Sequence, residues 1–371
     1  MTEAHAEPKL INLALQGGGS HGAFSWGVLD RLLEDPRVEI EGITGASAGA
    51  MNAVALAAGF ADGDREEARA SLRRFWTGVL DEARSSPLQR SPIEMLLGNW
   101  GMEASPAYVM FDLVTRVASP YDFNPFNLNP LRDLVVQLID FDRVRKSKVK
   151  VFISATNVET GRAHVWNKKE LTADHVMASA CLPWLFKAVE IDGVPYWDGG
   201  FTGNPALWPL FEHCDSDDVV LVQINPIKRS GAPTTARDII NRVNEITFNA
   251  SLLHDLRAMD FVARLIEAGR LDDTEYRRML MHAIADEKSL GELGASSKFN
   301  VEPDFIDMLF QKGRAAAENW LHTSFRHVGV KSTVNLRRLF QGEDDSLDGD
   351  QLKAPRRKPK PQPQPKPKPE K

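Results

Sequence analysis

The chain has 371 residues, of which 43% are hydrophobic and 26% charged, and its formal net charge is −6 at pH 7. This composition is typical of a globular protein with one large α/β domain and a smaller addition, and it excludes a disordered or collagen-like chain. There is no run of 18 apolar residues and no secretory leader, so we expect a cytoplasmic protein. Residues 1–8 are expected to be a disordered N-terminus, and no nucleic acid partner is expected.

The first predicted strand, residues 10–15, is followed by a glycine-rich loop, Gly17-Gly18-Gly19-Ser20-His21-Gly22, and then by a helical pattern. Such a loop can turn backbone N–H groups toward a phosphate or toward the oxyanion of a tetrahedral intermediate. The glycine spacing also satisfies the dinucleotide-binding fingerprint. However, the acids that would bind a ribose, Glu39 and Glu41, lie before the end of the second strand. We therefore expect no cofactor.

The second predicted strand, residues 38–44, leads into Gly45-Ala46-Ser47-Ala48-Gly49 and a helix-forming run over residues 50–58. A serine flanked by small residues between a strand and a helix is typical of a nucleophile elbow. The same pattern is found in turns that precede alanine-rich buried helices. The elbow interpretation predicts that the hydroxyl of Ser47 attacks a carbonyl carbon.

Further strands are predicted at residues 149–155 and 218–224, and a hairpin with its turn at Asp192-Gly193 leads to Asp198-Gly199-Gly200. The two glycines allow another group to approach the carboxylate of Asp198 closely. On its own, an Asp-Gly-Gly sequence more often caps a turn. Strands that alternate with helices predict a mostly parallel sheet with helices on both faces.

Three segments differ from this pattern. Residues 85–130 are rich in Pro, Asn and aromatic residues, and they indicate either a cap over the site or an excursion packed on the core. Residues 229–340 are predicted to form a helical C-terminal region that begins with a capping box at Thr235 and Asp238. Residues 341–371 are acidic and then rich in Lys and Pro, which predicts a disordered tail that either contacts anionic membranes or only aids solubility.

Together, the three glycine-containing motifs resemble those of the patatin-like phospholipase family, which are G-x-G-x-x-G, G-x-S-x-G and D-G-[AG] in this order. The resemblance covers residues 9–228 and includes residues 179–186 and Gly203-Asn204-Pro205. It implies a three-layer α/β sandwich and a lipid acyl hydrolase that acts on fatty-acyl esters or phospholipids. By the same resemblance, Ser47 is the nucleophile, Asp198 is its base, and the glycine loop with Ala48 forms the oxyanion hole.

The sequence departs from the family at one position, because many members have Arg or Lys where this chain has His21. Phospholipid preference therefore stays open beside neutral esters. Two other interpretations also stay open: a non-catalytic lipid-binding protein, and a Ser-His-Asp triad. The candidate histidines for such a triad are His213, His254, His282, His322 and His327. No histidine pair has metal-ligand spacing, so no metal is expected, and the oligomeric state is not predicted.

Overall fold

The computed structural model of the chain describes residues 7–84, 86, 88–229, 231–272 and 275–341. Within these ranges, helices cover both faces of one mostly parallel sheet, which is the predicted three-layer α/β sandwich. The strands of the described residues are β1 (Lys9–Leu15), β2 (Val38–Gly45), β3 (Lys150–Asn157), β4 (Ala163–Asn167), β5 (Val189–Ile191), β6 (Val194–Asp198), β7 (Asp218–Val222) and β8 (Leu280–Ile284).

The strand order is β5-β6-β3-β2-β1-β7-β8, with β4 paired to β3 outside this path. Strands β3, β2, β1, β7 and β8 are parallel, whereas β4 and β6 run antiparallel to β3. The parallel strands end at the same edge, since Leu15 at the end of β1 pairs with both Gly45 of β2 and Val222 of β7. The loops that follow β1 and β2 therefore meet at this edge, which is where open α/β sheets generally bind their ligands.

The helices are α1 (Gly22–Glu34), α2 (Ala48–Gly59), α3 (Arg65–Ala83), α4 (Pro92–Leu96), α5 (Pro106–Val117), α6 (Pro120–Phe123), α7 (Pro130–Leu138), α8 (Phe141–Lys146), α9 (Ala173–Ser179), α10 (Trp208–His213), α11 (Ala236–Glu267), α12 (Glu287–Gly291), α13 (Pro303–Thr323) and α14 (Leu336–Gln341). Short 3₁₀ turns lie at Gly19–His21, Phe60–Asp62, Gly199–Phe201, Ala295–Phe299 and Phe325–His327. In the part of the chain that the structure describes, no helix has the length and apolar character needed to cross a bilayer.

Alternate residues of the central strands pack on opposite faces of the sheet. Leu13 and Leu15 of β1 belong to the larger core, which they share with α1, α2, α3 and α13, whereas Ala14 belongs to a smaller core under α10 and α11. Buried apolar residues on both faces explain why these strands read as continuous hydrophobic runs in the sequence.

The hairpin predicted at Asp192-Gly193 is confirmed by strands β5 and β6, and both turn residues have positive φ angles. The side chain of Thr235 accepts a hydrogen bond from the N–H of Asp238 at the start of α11, as predicted. The C-terminal region is not purely helical, however, because β8 extends the sheet beside β7. Helix α13 lies along α1, where the rings of Phe310 and Trp26 are 4.1 Å apart. The predicted acidic and Lys/Pro-rich tail lies outside the described residues from position 342 onward.

Candidate active site

Ser47 stands between the end of β2 and the start of α2. Its backbone angles, φ 52° and ψ −123°, fall in a region that residues other than glycine seldom adopt. Its N–H donates a 2.9 Å hydrogen bond to the hydroxyl of Ser179 at the end of α9. The side chain is half-buried and lines a cavity of about 550 Å³. The strand, the strained residue and the helix form the elbow that the sequence indicates.

Asp198 is brought to Ser47 by the register of the sheet. Gly45, at the end of β2, pairs with Ile153 of β3, and the chain then turns into the elbow that holds Ser47. Two residues further along β3, Ala155 pairs with Asp198, the last residue of β6, on this same edge of β3, because β4 occupies the opposite edge. The two side chains line the same cavity, although 151 positions separate them in the sequence.

The carboxyl group of Asp198 is buried, with only 1% of the residue exposed. Its Oδ1 accepts a 2.7 Å hydrogen bond from the N–H of Gly200, and its backbone N–H donates to Cys181 at 2.8 Å. Burial raises the pKa of Asp198 to about 7, although Gly200, the Ser47 hydroxyl and Lys298 each lower it. Near neutral pH this carboxylate is therefore a much stronger base than an exposed aspartate.

The glycine loop lies beside Ser47, where Gly18, Gly19, Ser20 and Ala48 line the cavity. Among the described residues, no protein acceptor receives the N–H groups of Gly18, Gly19 or Ala48. Free N–H groups at a cavity wall can hold a developing oxyanion. Gly19 has a φ of 58°, and a Cβ there would lie 2.4 Å from the carbonyl oxygen of Lys298, so this position requires glycine.

Buried polar side chains hold the loop in place. The N–H of Gly17 donates to Oδ1 of Asn204 at 2.7 Å, and Nδ2 of Asn225 donates to the carbonyl oxygen of Gly17 at 2.6 Å. Gln16 in turn accepts hydrogen bonds from the backbone N–H groups of Ile224 and Asn225, both at 2.9 Å. These contacts tie the loop after β1 to the chain that follows β7.

The other predicted glycines are close-packing positions rather than cavity residues. An added Cβ atom would lie 2.7 Å from Ala46 O at Gly17, 2.7 Å from Ala48 Cβ at Gly22, 2.7 Å from Gly49 at Gly45, 2.3 Å from Leu15 O at Gly49, and 2.1 Å from Ser154 O at Gly199. At Gly200 the nearest atom would be Oδ1 of Asp198, at 3.0 Å.

His21 does not line the cavity. It is 2% exposed, and its Nε2 is 2.8 Å from the hydroxyl of Ser297. Burial, assisted by Lys298 and Arg229, lowers the pKa of His21 to about 3, so the ring is neutral at physiological pH. The hypothesis that His21 contacts a substrate phosphate therefore has no support in this geometry.

The remaining walls are mainly apolar and come from several elements. Helix α5 of the predicted cap contributes Tyr108 and Phe111, whereas Trp100 packs 5.2 Å from Phe305 of α13. Two further walls were not predicted from the sequence: Ile240 and Phe248 of α11, and Lys298 in the 3₁₀ turn Ala295–Phe299. No local motif marks these residues, because their position depends on how the C-terminal region packs.

No histidine of the described residues lines this cavity. The five downstream candidates for a triad lie elsewhere: His282 bonds to Asp218, His322 to Glu318, His213 stacks on Phe152, His254 lines a separate cleft, and His327 contacts Arg326. Over the same described ranges, no cluster of His, Cys, Asp and Glu is suited to bind a metal ion.

The fold and this site are those of an α/β protein with an apolar cavity at the carboxyl edge of its sheet. A model of the patatin-like phospholipase family matches residues 13–211. Since the match spans more than half of the chain, the protein belongs to the patatin-like phospholipase family, which generally comprises lipid acyl hydrolases.

Among solved structures, the chain is similar to VipD from Legionella pneumophila, with 14% sequence identity and a TM-score of 0.39. The alignment covers 86% of this chain and 67% of VipD. No curated protein matches the chain.

Proposed function

We propose that this protein hydrolyses fatty-acyl esters of lipids through an acyl-enzyme, with Ser47 as the nucleophile and Asp198 as the base. The observation that carries the proposal is that a strained serine and a buried carboxylate of raised pKa share one apolar cavity with three free backbone N–H groups. Serine nucleophiles need an adjacent base, and acyl transfer needs donors for the oxyanion.

In the first half of the reaction, Oγ of Ser47 attacks the ester carbon while its proton passes to the carboxylate of Asp198. The N–H groups of Gly18, Gly19 and Ala48 stabilise the oxyanion. The intermediate then collapses, the C–O bond to the alcohol breaks, and Asp198 returns the proton to the leaving oxygen. The acyl group remains on Ser47.

In the second half, Asp198 takes a proton from water, and the resulting hydroxide attacks the acyl carbon. Collapse of this intermediate releases the fatty acid and regenerates the hydroxyl of Ser47 with the proton from Asp198. The apolar walls formed by Tyr108, Phe111 and Phe248 suit an acyl chain, whose burial supplies binding free energy in proportion to its area.

The test is hydrolysis of a panel of p-nitrophenyl acyl esters and defined phospholipids by wild type and Ser47→Ala, together with labelling by a fluorophosphonate probe. We expect both activity and labelling to be lost in Ser47→Ala, with little loss of stability because only one small hydroxyl is removed. Ser119→Ala is the matched control, because it removes an exposed hydroxyl outside the cavity; it loses a hydrogen bond to Asp122 at the start of α6 but should keep wild-type activity and labelling.

A non-catalytic lipid-binding protein would give a different result. It would bind a fluorescent fatty acid in the cavity but hydrolyse no ester of the panel, and Ser47→Ala would then change nothing. Turnover that survives in Ser47→Ala would show that another group is the nucleophile.

A further inference from the structure

Lys298 places a cation in the wall of the cavity, outside the segment matched by the family model. Its Nζ donates a 2.7 Å hydrogen bond to Oδ1 of Asn225, the same side chain that holds the carbonyl of Gly17. Its own carbonyl oxygen accepts a 2.8 Å hydrogen bond from the hydroxyl of Ser20. Lys298 is therefore fixed against the glycine loop, on the cavity that Ser47 and Asp198 also line.

The charges around Lys298 do not neutralise it. The nearby carboxylate of Glu245 is paired with Arg229 at 2.6 Å and with Arg242 at 3.1 Å, so two guanidinium groups already satisfy it. Among the described residues, Lys298 forms no ion pair with a carboxylate. Burial and Arg229 lower the pKa of Lys298, whereas Glu245 and Asp198 raise it, and an added anion would raise it further.

The other charged or titratable nitrogens near the site are not available. Arg116 lines the same cavity, but it donates to both carboxylate oxygens of Asp112, at 3.0 and 3.1 Å. His21 is neutral and turned away toward Ser297. An anionic oxygen that entered the cavity beside the scissile ester would therefore have Lys298 as its partner.

Resting on the proposed function, we propose that Lys298 is a specificity-determining residue that binds the phosphate of a glycerophospholipid while an acyl ester of the same molecule lies at Ser47. An ammonium group gives a phosphate oxygen a charge-assisted hydrogen bond, and a partly buried site strengthens it. A neutral glyceride has no anionic group to pair with this cation. The structure thus selects a phosphate-bearing ester over a neutral ester with the same acyl chains.

The test compares two soluble substrates that share acyl chains and glycerol backbone, dihexanoylphosphatidylglycerol and dihexanoylglycerol, both as monomers. The variants are Lys298→Met and Lys298→Gln, because the glutamine keeps a donor for Asn225 if the methionine protein folds poorly. We expect kcat/KM for the phospholipid to fall about 10- to 100-fold, mainly through KM, as for the loss of one hydrogen bond to a charged group. The neutral ester should lose about threefold or less, since it makes no charge-assisted bond.

Lys331→Met is the control, because it removes an exposed lysine outside the cavity and should keep the wild-type preference. Equal losses on both substrates would show that Lys298 only positions the glycine loop, and wild type without preference would also overturn the proposal. Inorganic phosphate at millimolar concentration should not inhibit hydrolysis of the neutral ester. Competitive inhibition that depends on Lys298 would instead assign the subsite to free phosphate and overturn the headgroup assignment.

These outcomes are separate from a failure of the proposed function. If wild type hydrolyses neither substrate, or if Ser47→Ala retains activity, the proposed function fails. If both substrates are hydrolysed by a Ser47-dependent activity without a preference that depends on Lys298, only the role of Lys298 is wrong.

Discussion

The backbone N–H of Ser47 donates a 2.9 Å hydrogen bond to the hydroxyl of Ser179, although 132 positions separate the two residues in the sequence. Ser179 is fully buried and is the last residue of α9, so the contact fixes the strained turn to a rigid element. A residue held at φ 52° needs such support, because the conformation itself costs of the order of 1–3 kcal/mol.

We expect Ser179→Ala to lower kcat about 10-fold or more, because a loosened elbow misplaces the attacking oxygen. It should also lower the free energy of unfolding by about 1–3 kcal/mol, since a buried N–H is left unpaired. Ester hydrolysis and urea unfolding measure the two effects.

Ser154→Ala is the matched control, because it also removes a fully buried hydroxyl, one that donates to Gly203 O at 2.9 Å and does not bond to Ser47. Its stability should fall similarly, with a smaller effect on kcat. If both variants lose the same activity, the effect comes from general destabilisation.

Burial raises the pKa of Asp198 to about 7, and in the proposed mechanism this pKa determines how the reaction depends on pH. In the proposed mechanism the carboxylate form is the base, so kcat/KM of a neutral ester should be constant above pH 7 and fall about tenfold per pH unit below it. A profile from pH 5 to 9 with an uncharged substrate measures this pKa in the free enzyme. An activity that stays constant down to pH 5 would show that Asp198 is not the base.

The raised pKa of Asp198 also leads to a prediction about the stability of the protein. The pKa of Asp198 is raised from 3.8 in the unfolded chain to about 7, so the folded state loses stability as the pH rises through this window. Asp198→Asn removes the buried charge, and we expect the variant to be more stable than wild type at pH 8, by ~4 kcal/mol at most. It should be inactive at every pH, because an amide accepts no proton.

Urea unfolding at pH 8 and at pH 4 tests the sign. The difference in unfolding free energy between the variant and wild type should be larger at pH 8, and a difference that is larger at pH 4 would contradict the assignment. A difference that is larger at pH 8 would identify Asp198 as a residue that favours function at the expense of stability.

The sequence predicted the elements that depend on local pattern. The runs that became β1 and β2 are buried on both faces, and the small residues around Ser47 are required by contacts within a few ångströms. Lys298 could not be predicted, because β8 and α13 bring it to the loop across 279 positions from Gly19. The sequence did not predict strand β8, since its central residue, His282, is polar; its burial is tolerated because Asp218 and Thr333 bind its two ring nitrogens, at 2.8 and 2.9 Å.

Gly19→Ala should lower kcat on a neutral ester about 100-fold or more. A Cβ at this position meets the carbonyl oxygen of Lys298 at 2.4 Å, and the φ of 58° is unfavourable for alanine, so the loop must shift and displace its N–H donors. KM for the neutral ester should change little, because the donors act mainly on the transition state.

Gly161→Ala is the control for the backbone effect, since Gly161 also has a positive φ, 65°, but no atom near its Cβ position. It should lose some stability but keep its activity. A loss in Gly19→Ala that is confined to KM would indicate that the loop binds a ground-state anion instead.

The last prediction concerns the stability of the protein in acid and depends on His21. Its pKa is lowered from 6.5 to about 3 by burial, so the unfolded chain binds a proton that the folded protein excludes between these two values. The stability due to neutral His21 is therefore complete above pH 6.5 and is lost as the pH falls toward 3, by about 1.4 kcal/mol per pH unit at most.

His21→Gln cannot titrate, yet its amide can still bond to the hydroxyl of Ser297. We expect similar stability and activity to wild type at pH 7.5 and a flatter decline below pH 6. Urea unfolding of wild type and His21→Gln at several pH values measures the two slopes. Identical slopes for His21→Gln and wild type would show that His21 is protonated in the folded protein. A variant that loses only phospholipid hydrolysis would show that His21 contacts the phospholipid substrate.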